Sequence, residues 1–462
     1  MAKRLYQLIR QALKGGDQDY TQLPIRRAIL LLSIPMVLEM VMESLFAVVD
    51  VFFVAKLGMN AVATVGLTES VMTLVYSLAI GLSAAATAMV ARRIGEGDRE
   101  AAATAAVQAI WLGLLFSFLL GICGFYFAPD ILTALGGEAQ LVQDGQGYTR
   151  IMFSGSVTVL LLFLLNAVFR GAGDAGLAMR SLWLANGINI ILDPCLILGL
   201  GPFPELGIEG AAIATLIGRG TGVIYQIYHL IGGKDIIRVG KRHLVLVREV
   251  WVRLLQVGSN GAAQYLIASA SWIFLVRIIA EFGPAALAGY TISIRVIIFT
   301  ILPAWGIANA ASTLVGQHLG AGQPDEAERS TWLASRYTMY FMLVVAILYI
   351  SLAAPIIGIF DPTPEVVAIG AQSLRIISLG YIFFAYGMVL GQAFNGSGDT
   401  RTPMILNLIS FWMIEIPLAW YLSSGAGLGP DGVFVAVAIS ESILAVLCII
   451  LFRRGKWKLT VI

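Results

Sequence analysis

The chain has 462 residues, of which 58% are hydrophobic and only 13% charged, with a formal net charge of +2. Soluble domains carry roughly 45–50% apolar and ~25% charged residues, so at a mean hydropathy of +0.84 a water-soluble protein is excluded. The composition predicts an all-α integral membrane protein.

Residues 1–26 are polar and basic, unlike a cleaved signal peptide, and read as an N-terminal tail. A membrane span needs ~20 apolar residues, and twelve such segments follow. They are predicted at 27–54, 63–91, 101–128, 146–170, 176–203, 209–232, 249–280, 286–316, 327–359, 370–396, 401–424 and 430–453. Glycine and serine recur within them, as helices buried in lipid tolerate. The first six form a lobe at 27–232 and the last six a lobe at 249–453; a basic linker, 233–248, joins them, and 454–462 is a short tail. Cys123, Cys195 and Cys448 each sit in an apolar run, which gives neither a disulfide framework nor metal-ligand spacing.

With twelve spans, both termini and every even-numbered connection share one side. That side collects 24 of the 30 lysines and arginines, including Arg92, Arg93, Arg99, Lys234, Lys241, Arg242 and the tail "RRGKWK". Lys56 is the clear loop cation on the other side. The positive-inside rule makes the crowded side cytoplasmic, so both termini are expected inside a cell membrane. These cations set topology and contact anionic lipid; no nucleic-acid role is expected, and the protein reads as a monomer.

Shifted by 225 positions, the two halves align without a gap over long stretches. "GLSAAATAMVARRIGEG" (81–97) falls on "GIANAASTLVGQHLGAG" (306–322), and "FRGAGDA" (169–175) on "FNGSGDT" (394–400). "GIEGAAIAT" (207–215) then matches "GPDGVFVAV" (429–437) at a shift of 222. Each half holds an even number of spans, so both enter the membrane in the same orientation. Such halves are related by a pseudo-twofold axis along the membrane normal, around a central pathway.

"GAGDAG" at 171–176 formally satisfies a dinucleotide fingerprint, but it follows an apolar helix and its repeat partner breaks the pattern. A tight turn between spans explains both copies. No phosphate-cradling G-x-x-x-x-G-K-[ST] occurs, and three histidines with no nucleophile–base pairing make an enzyme improbable. A secondary transporter is expected ahead of a channel, whose test is whether transport saturates and moves against a gradient.

"SIPMVLEMVMESLFAVVDVFFVAKLG" (33–58), "FRGAGD" (169–174), "NIILDP" (189–194) and "GIEGAAIAT" (207–215), in this order, resemble the multidrug and toxic compound extrusion (MATE) family. The resemblance covers nearly the whole chain. It implies twelve helices in two six-helix lobes around a V-shaped cavity, with no cofactor. Its activity is export of amphipathic, often cationic, compounds, including antibiotics, in exchange for H⁺ or Na⁺. It also implies a cation site at Asp50, with Asn189 and Asp193 matching the Asn-x-x-x-Asp-Pro pattern and Thr215 an early threonine of the sixth helix. Some members carry an acid in helix seven where this chain has Gln264.

The residues support that site independently. Asn189 and Asp193 are four apart and share a helix face. Pro194 withholds an amide donor from the carbonyl of Ile190. A carboxylate, an amide oxygen, a hydroxyl and a free carbonyl are hard oxygen donors that suit H⁺ or Na⁺. On the first helix, Glu39, Glu43 and Asp50 fall at about 0°, 40° and 20° for a wheel of about 100° per residue. Such a stripe faces the protein interior or water, where Glu39 and Glu43 attract cationic substrate or serve as braces paired with arginine.

The repeat acts as a control. Glu39, Glu43 and Asp50 become Gln264, Ala268 and Leu275, while Asn189, Asp193 and Thr215 become Phe411, Glu415 and Val437. The second lobe keeps the scaffold and loses most oxygen ligands, which places the chemistry in the first lobe. Glu69, Arg219, Arg277, Arg295 and Glu441 line the cavity or form pairs; Arg219 and Glu441 are repeat equivalents. The competing function is flipping of lipid-linked saccharide precursors, which needs a cationic lining that the acidic stripe opposes.

Overall fold

The computed structural model describes residues 2–16, 18–232 and 236–462, with side chains from residue 6 onward. Lys234, with the first residues of the expected linker, lies outside the described residues, as do the side chains of Lys3 and Arg4. A short helix α1 (Ala2–Lys14) precedes the long ones, α2 (Ile25–Ala55), α3 (Met59–Gly95), α4 (Arg99–Ala134), α5 (Ala139–Ser154), α6 (Ser156–Ala172), α7 (Ala175–Leu198) and α8 (Gly207–Gly232). The second half repeats the series as α9 (Arg248–Ala280), α10 (Pro284–Gly320), α11 (Pro324–Phe360), α12 (Pro364–Leu379), α13 (Tyr381–Ser397), α14 (Arg401–Gly425) and α15 (Pro430–Arg453). In lipid every backbone polar group must be satisfied within the protein, and helices do this segment by segment.

Each of the twelve expected intervals coincides with a helix or a helix pair. Among the described residues nine helices are long and apolar enough to cross a membrane, counting α5–α6 as one; α12–α13 adds a tenth. α2 and α8, the helices of the acids and of Arg219, run 31 and 26 residues.

The intervals 146–170 and 370–396 prove to be broken helices. The breaks fall at Gly155 and Gly380, which are 225 apart, and α12 meets α13 at a bend of 60°. Both glycines press on the next-but-one span: a Cβ at Gly155 would meet Leu216, and one at Gly380 would meet Ala438, itself the repeat equivalent of Leu216. Backbone geometry repeats as well, with φ of 100° at Gly58 and 99° at Gly283, and of 95° at Gly173 and 90° at Gly398. Gly173 caps α6 in the left-handed conformation and Asp174 caps α7, its side chain accepting from the Leu177 amide at 3.0 Å. This turn is what the glycine-rich "GAGD" encodes.

The halves meet through α2 and α3 on one side and α9 and α10 on the other. Gly81 lies against the backbone of Gly258 and Ala262, Gly306 against Met36 and Val37, Gly95 against Gln317, and Gly320 against Arg92. Side chains reinforce the seam: Gln317 donates to the Gly171 carbonyl at 3.0 Å and Thr313 to that of Arg170 at 3.2 Å. All these contacts lie toward the end that carries both termini. At the other end the helices pack within their own half, Gly145 on Thr64 and Gly289 on Gly370. Among the described residues the close glycine contacts between the halves thus lie toward the terminal end.

Candidate cation site

α7 presents Asn186, Asn189 and Asp193 at intervals of three and four, and therefore on one face. The helix runs through Pro194 without a break and ends at Leu198. Asp193 is 0% exposed and Asn189 2%. The Asn189 side-chain amide donates to Asp193 Oδ1 at 3.3 Å and to Thr215 Oγ1, on α8, at 3.2 Å. Close packing makes this reach possible: a Cβ at Gly218 would touch Asn189 and the Ala185 carbonyl. Two acceptors remain, Asn189 Oδ1 and Asp193 Oδ2, both buried with no hydrogen-bond partner. A buried polar atom left unsatisfied costs about 1–3 kcal/mol, and more if charged. A carboxylate and an amide oxygen in that condition have lone pairs available to accept a proton or a small hard cation.

Asp50, half-buried near the end of α2, is within electrostatic reach of Asp193, Glu69 and Arg219. The other two acids of its stripe are each engaged by an arginine. Arg170 Nη1 donates to Glu39 Oε1 at 3.1 Å, and the Asn166 amide to the same oxygen at 3.2 Å. Gln226 in turn donates to Asn166 Oδ1 at 2.5 Å. Arg219, 5% exposed, donates to Glu43 Oε1 at 3.4 Å and lies over the Phe46 ring, while Asn186 donates to Glu43 Oε2 at 2.9 Å. The stripe thus runs from Glu39, braced through Oε1, through Glu43, shared by two donors, to Asp50, within electrostatic reach of Asp193.

Glu69 on α3 joins this cluster. Asn166, Asn186 and Gln226 were not singled out by sequence; their signal was a lone amide inside an apolar run. Gln264 lies on α9 in the other half, half-buried, its backbone carbonyl accepting from Asn407 at 3.3 Å. Arg277 and Arg295 are exposed. In the second lobe Leu275, at the place of Asp50, is 1% exposed, but Glu415 is buried at 3%.

The same two-lobed pattern appears in comparison with known proteins. The MatE family model matches residues 35–195 and again 262–421, one copy in each half. The chain belongs to the MatE family. It is therefore a membrane transporter. The "Probable multidrug resistance protein NorM" of Thermotoga maritima is 29% identical over 443 residues, covering 94% of this chain and 93% of the relative. A "FAD transporter" of Shewanella oneidensis is 26% identical, covering 93% and 95%. A solved structure described as the "outward-facing conformation of a multidrug resistance MATE family transporter" superposes with a TM-score of 0.89 at 26% identity, covering 97% and 98%.

Proposed function

We propose that this MatE protein is an H⁺- or Na⁺-coupled antiporter that exports amphipathic, often cationic, organic compounds by alternating access. Asp50, Asn189, Asp193 and Thr215 form its coupling-ion site. The observation that carries this reading is the pair of unpartnered buried acceptors, Asn189 Oδ1 and Asp193 Oδ2, with Asp50 within electrostatic reach of Asp193. Two carboxylates close together in low dielectric do not both ionise without a proton or a cation between them. A bound ion biases a conformational equilibrium only through different affinity for the two states. Release of the coupling ion and recharging of the pair therefore supply the switch.

In this reading residues 27–232 and 249–453 are the two lobes, 233–248 is a cytoplasmic linker, and 1–26 and 454–462 are cytoplasmic tails of a monomeric inner-membrane protein. The terminal end, where the halves pack together, is then the cytoplasmic side. Acidic Glu43 and Asp50 favour a cationic cargo over the pyrophosphate-linked saccharide that a flippase would carry. The test is ethidium or norfloxacin transport in everted vesicles, driven in turn by a pH gradient and by a Na⁺ gradient. One gradient alone is expected to suffice. Transport that survives collapse of both gradients but stops on removal of ATP would overturn the proposal.

A further inference from the structure

The second lobe holds two acids, Glu415 buried and Glu441 half-buried, to which the ion-coupling reading assigns no role. Glu415 ends a π-helical stretch of α14, residues 408–415, and Pro417 follows two positions later. π-Helical turns within α-helices concentrate at functional sites because they displace a side chain from its regular register. Glu415 Oε2 is buried without a hydrogen-bond partner. Glu441 on α15 is within electrostatic reach of it and lines a cavity of about 30 Å³.

The surroundings decide what such a pair can bind. The hydroxyl of Tyr290, on a residue 1% exposed, has no hydrogen-bond partner, and that of Tyr381, on a residue 2% exposed, faces Thr300. Tyr381 lines the Glu441 cavity and Tyr290 is within reach of Glu415. The cavity walls are otherwise chiefly apolar, with Trp272, Ile294, Ile301 and Phe384 among them. Arg277, Arg295 and Arg375 on the surrounding helices are exposed, and no ion pair to either glutamate is formed among the described residues. The neighbouring titratable groups are Tyr349, beside Tyr381, and Cys448, near Glu441; neither supplies a cation.

A hard metal ion needs a cage of several oxygens, and no group of three or more potential acidic, histidine or cysteine ligands occurs among the described residues. A proton needs only one lone pair, and a water to deliver it needs about 10–15 Å³, which the cavity has. We propose that Glu415 and Glu441 form a second proton-binding site, in the second lobe, that holds one proton for the pair. The repeat explains its origin: Glu415 stands where the first lobe has Asp193, and Glu441 where it has Arg219. An acid stands where the first lobe has a base, so a proton is left to neutralise the pair.

Infrared pH-difference spectroscopy of the full chain in liposomes reads a buried protonated carboxyl directly. In an Asp50→Asn/Asp193→Asn background, silent for transport by design, the carboxylic-acid carbonyl band is expected to remain. Adding Glu415→Gln or Glu441→Gln should remove the same band, and Na⁺ should not. Carboxyl ¹³C-labelling of glutamate in the unsubstituted chain should shift this band even if a variant fails to reach the membrane. A band that ignores glutamate labelling, survives both glutamine variants, or disappears with Na⁺ would overturn the proposal. Failure of the first-lobe reading would show instead as intact efflux in the aspartate variants.

Discussion

At equivalent positions the two lobes use opposite chemistry on one scaffold. The first sets Asp50 within reach of a buried arginine, Arg219, which Glu43 already engages at 3.4 Å. The second sets Glu415 within reach of Glu441, and among the described residues no ion pair to either is formed. Yet turns, breaks and glycine contacts match across the halves, down to Gly155 and Gly380. Packing therefore fixes the shared features, while the buried charges were free to diverge. A buried charge has to be neutralised locally, because unpaired it costs several kcal/mol, and each lobe does so by its own means.

The largest effect should come from Asp50→Asn and Asp193→Asn, each reducing gradient-driven efflux to that of vesicles lacking the protein at equal abundance. The double variant should be no worse than either single one, since the two act as a unit. Near wild-type efflux by either single variant, across pH and Na⁺, would move the site elsewhere.

Next is the brace. Arg170→Ala strips the charged partner from Glu39, itself 1% exposed, leaving only the Asn166 amide, and should cost roughly 3–5 kcal/mol of stability. Adding Glu39→Leu should recover much of that loss in detergent unfolding curves. If it does not, Glu39 matters for more than bracing.

Third, the seam. A side chain at Gly81 would approach the Gly258 carbonyl and the Ala262 amide to 2.3 Å. Gly81→Val should penalise the observed arrangement by about 1–3 kcal/mol through overpacking. Spin labels at Met59 and Pro284, at the starts of α3 and α10, should then report a changed distance distribution. An unchanged distribution would mean that the seam does not hold this conformation.

The smallest effect is expected from Gln264→Ala. The carbonyl that Asn407 uses belongs to the backbone and survives the change. Stability should stay within about 0.5 kcal/mol and efflux near wild type. Loss as complete as in the aspartate variants would assign Gln264 a part in coupling.

Much of the site was legible in sequence because lipid makes polar residues conspicuous. Asp193 in "NIILDP" and the Glu39–Glu43–Asp50 stripe stand out against apolar neighbours, and helical periodicity alone sets which of them share a face. The partners of those acids were not legible. Arg170 lies 131 positions from Glu39, and Arg219 lies 176 from Glu43. Arg170 read as a loop cation and Arg219 as an unassigned one.

By itself the sequence determined the helical class, the repeat, its glycine-rich turns and the acids, since these follow from hydropathy, periodicity and φ requirements local to a few residues. Only the tertiary structure decided that Gly155 and Gly380 break their helices, because the bend depends on how each pair packs against its neighbouring span. It alone decided where the halves touch, since Gly81 and Gly306 meet backbone in the other half. It also left Asn189 Oδ1, Asp193 Oδ2 and Glu415 Oε2 without partners. Whether a buried oxygen is satisfied depends on every helix packed around it, and no stretch of sequence carries that information.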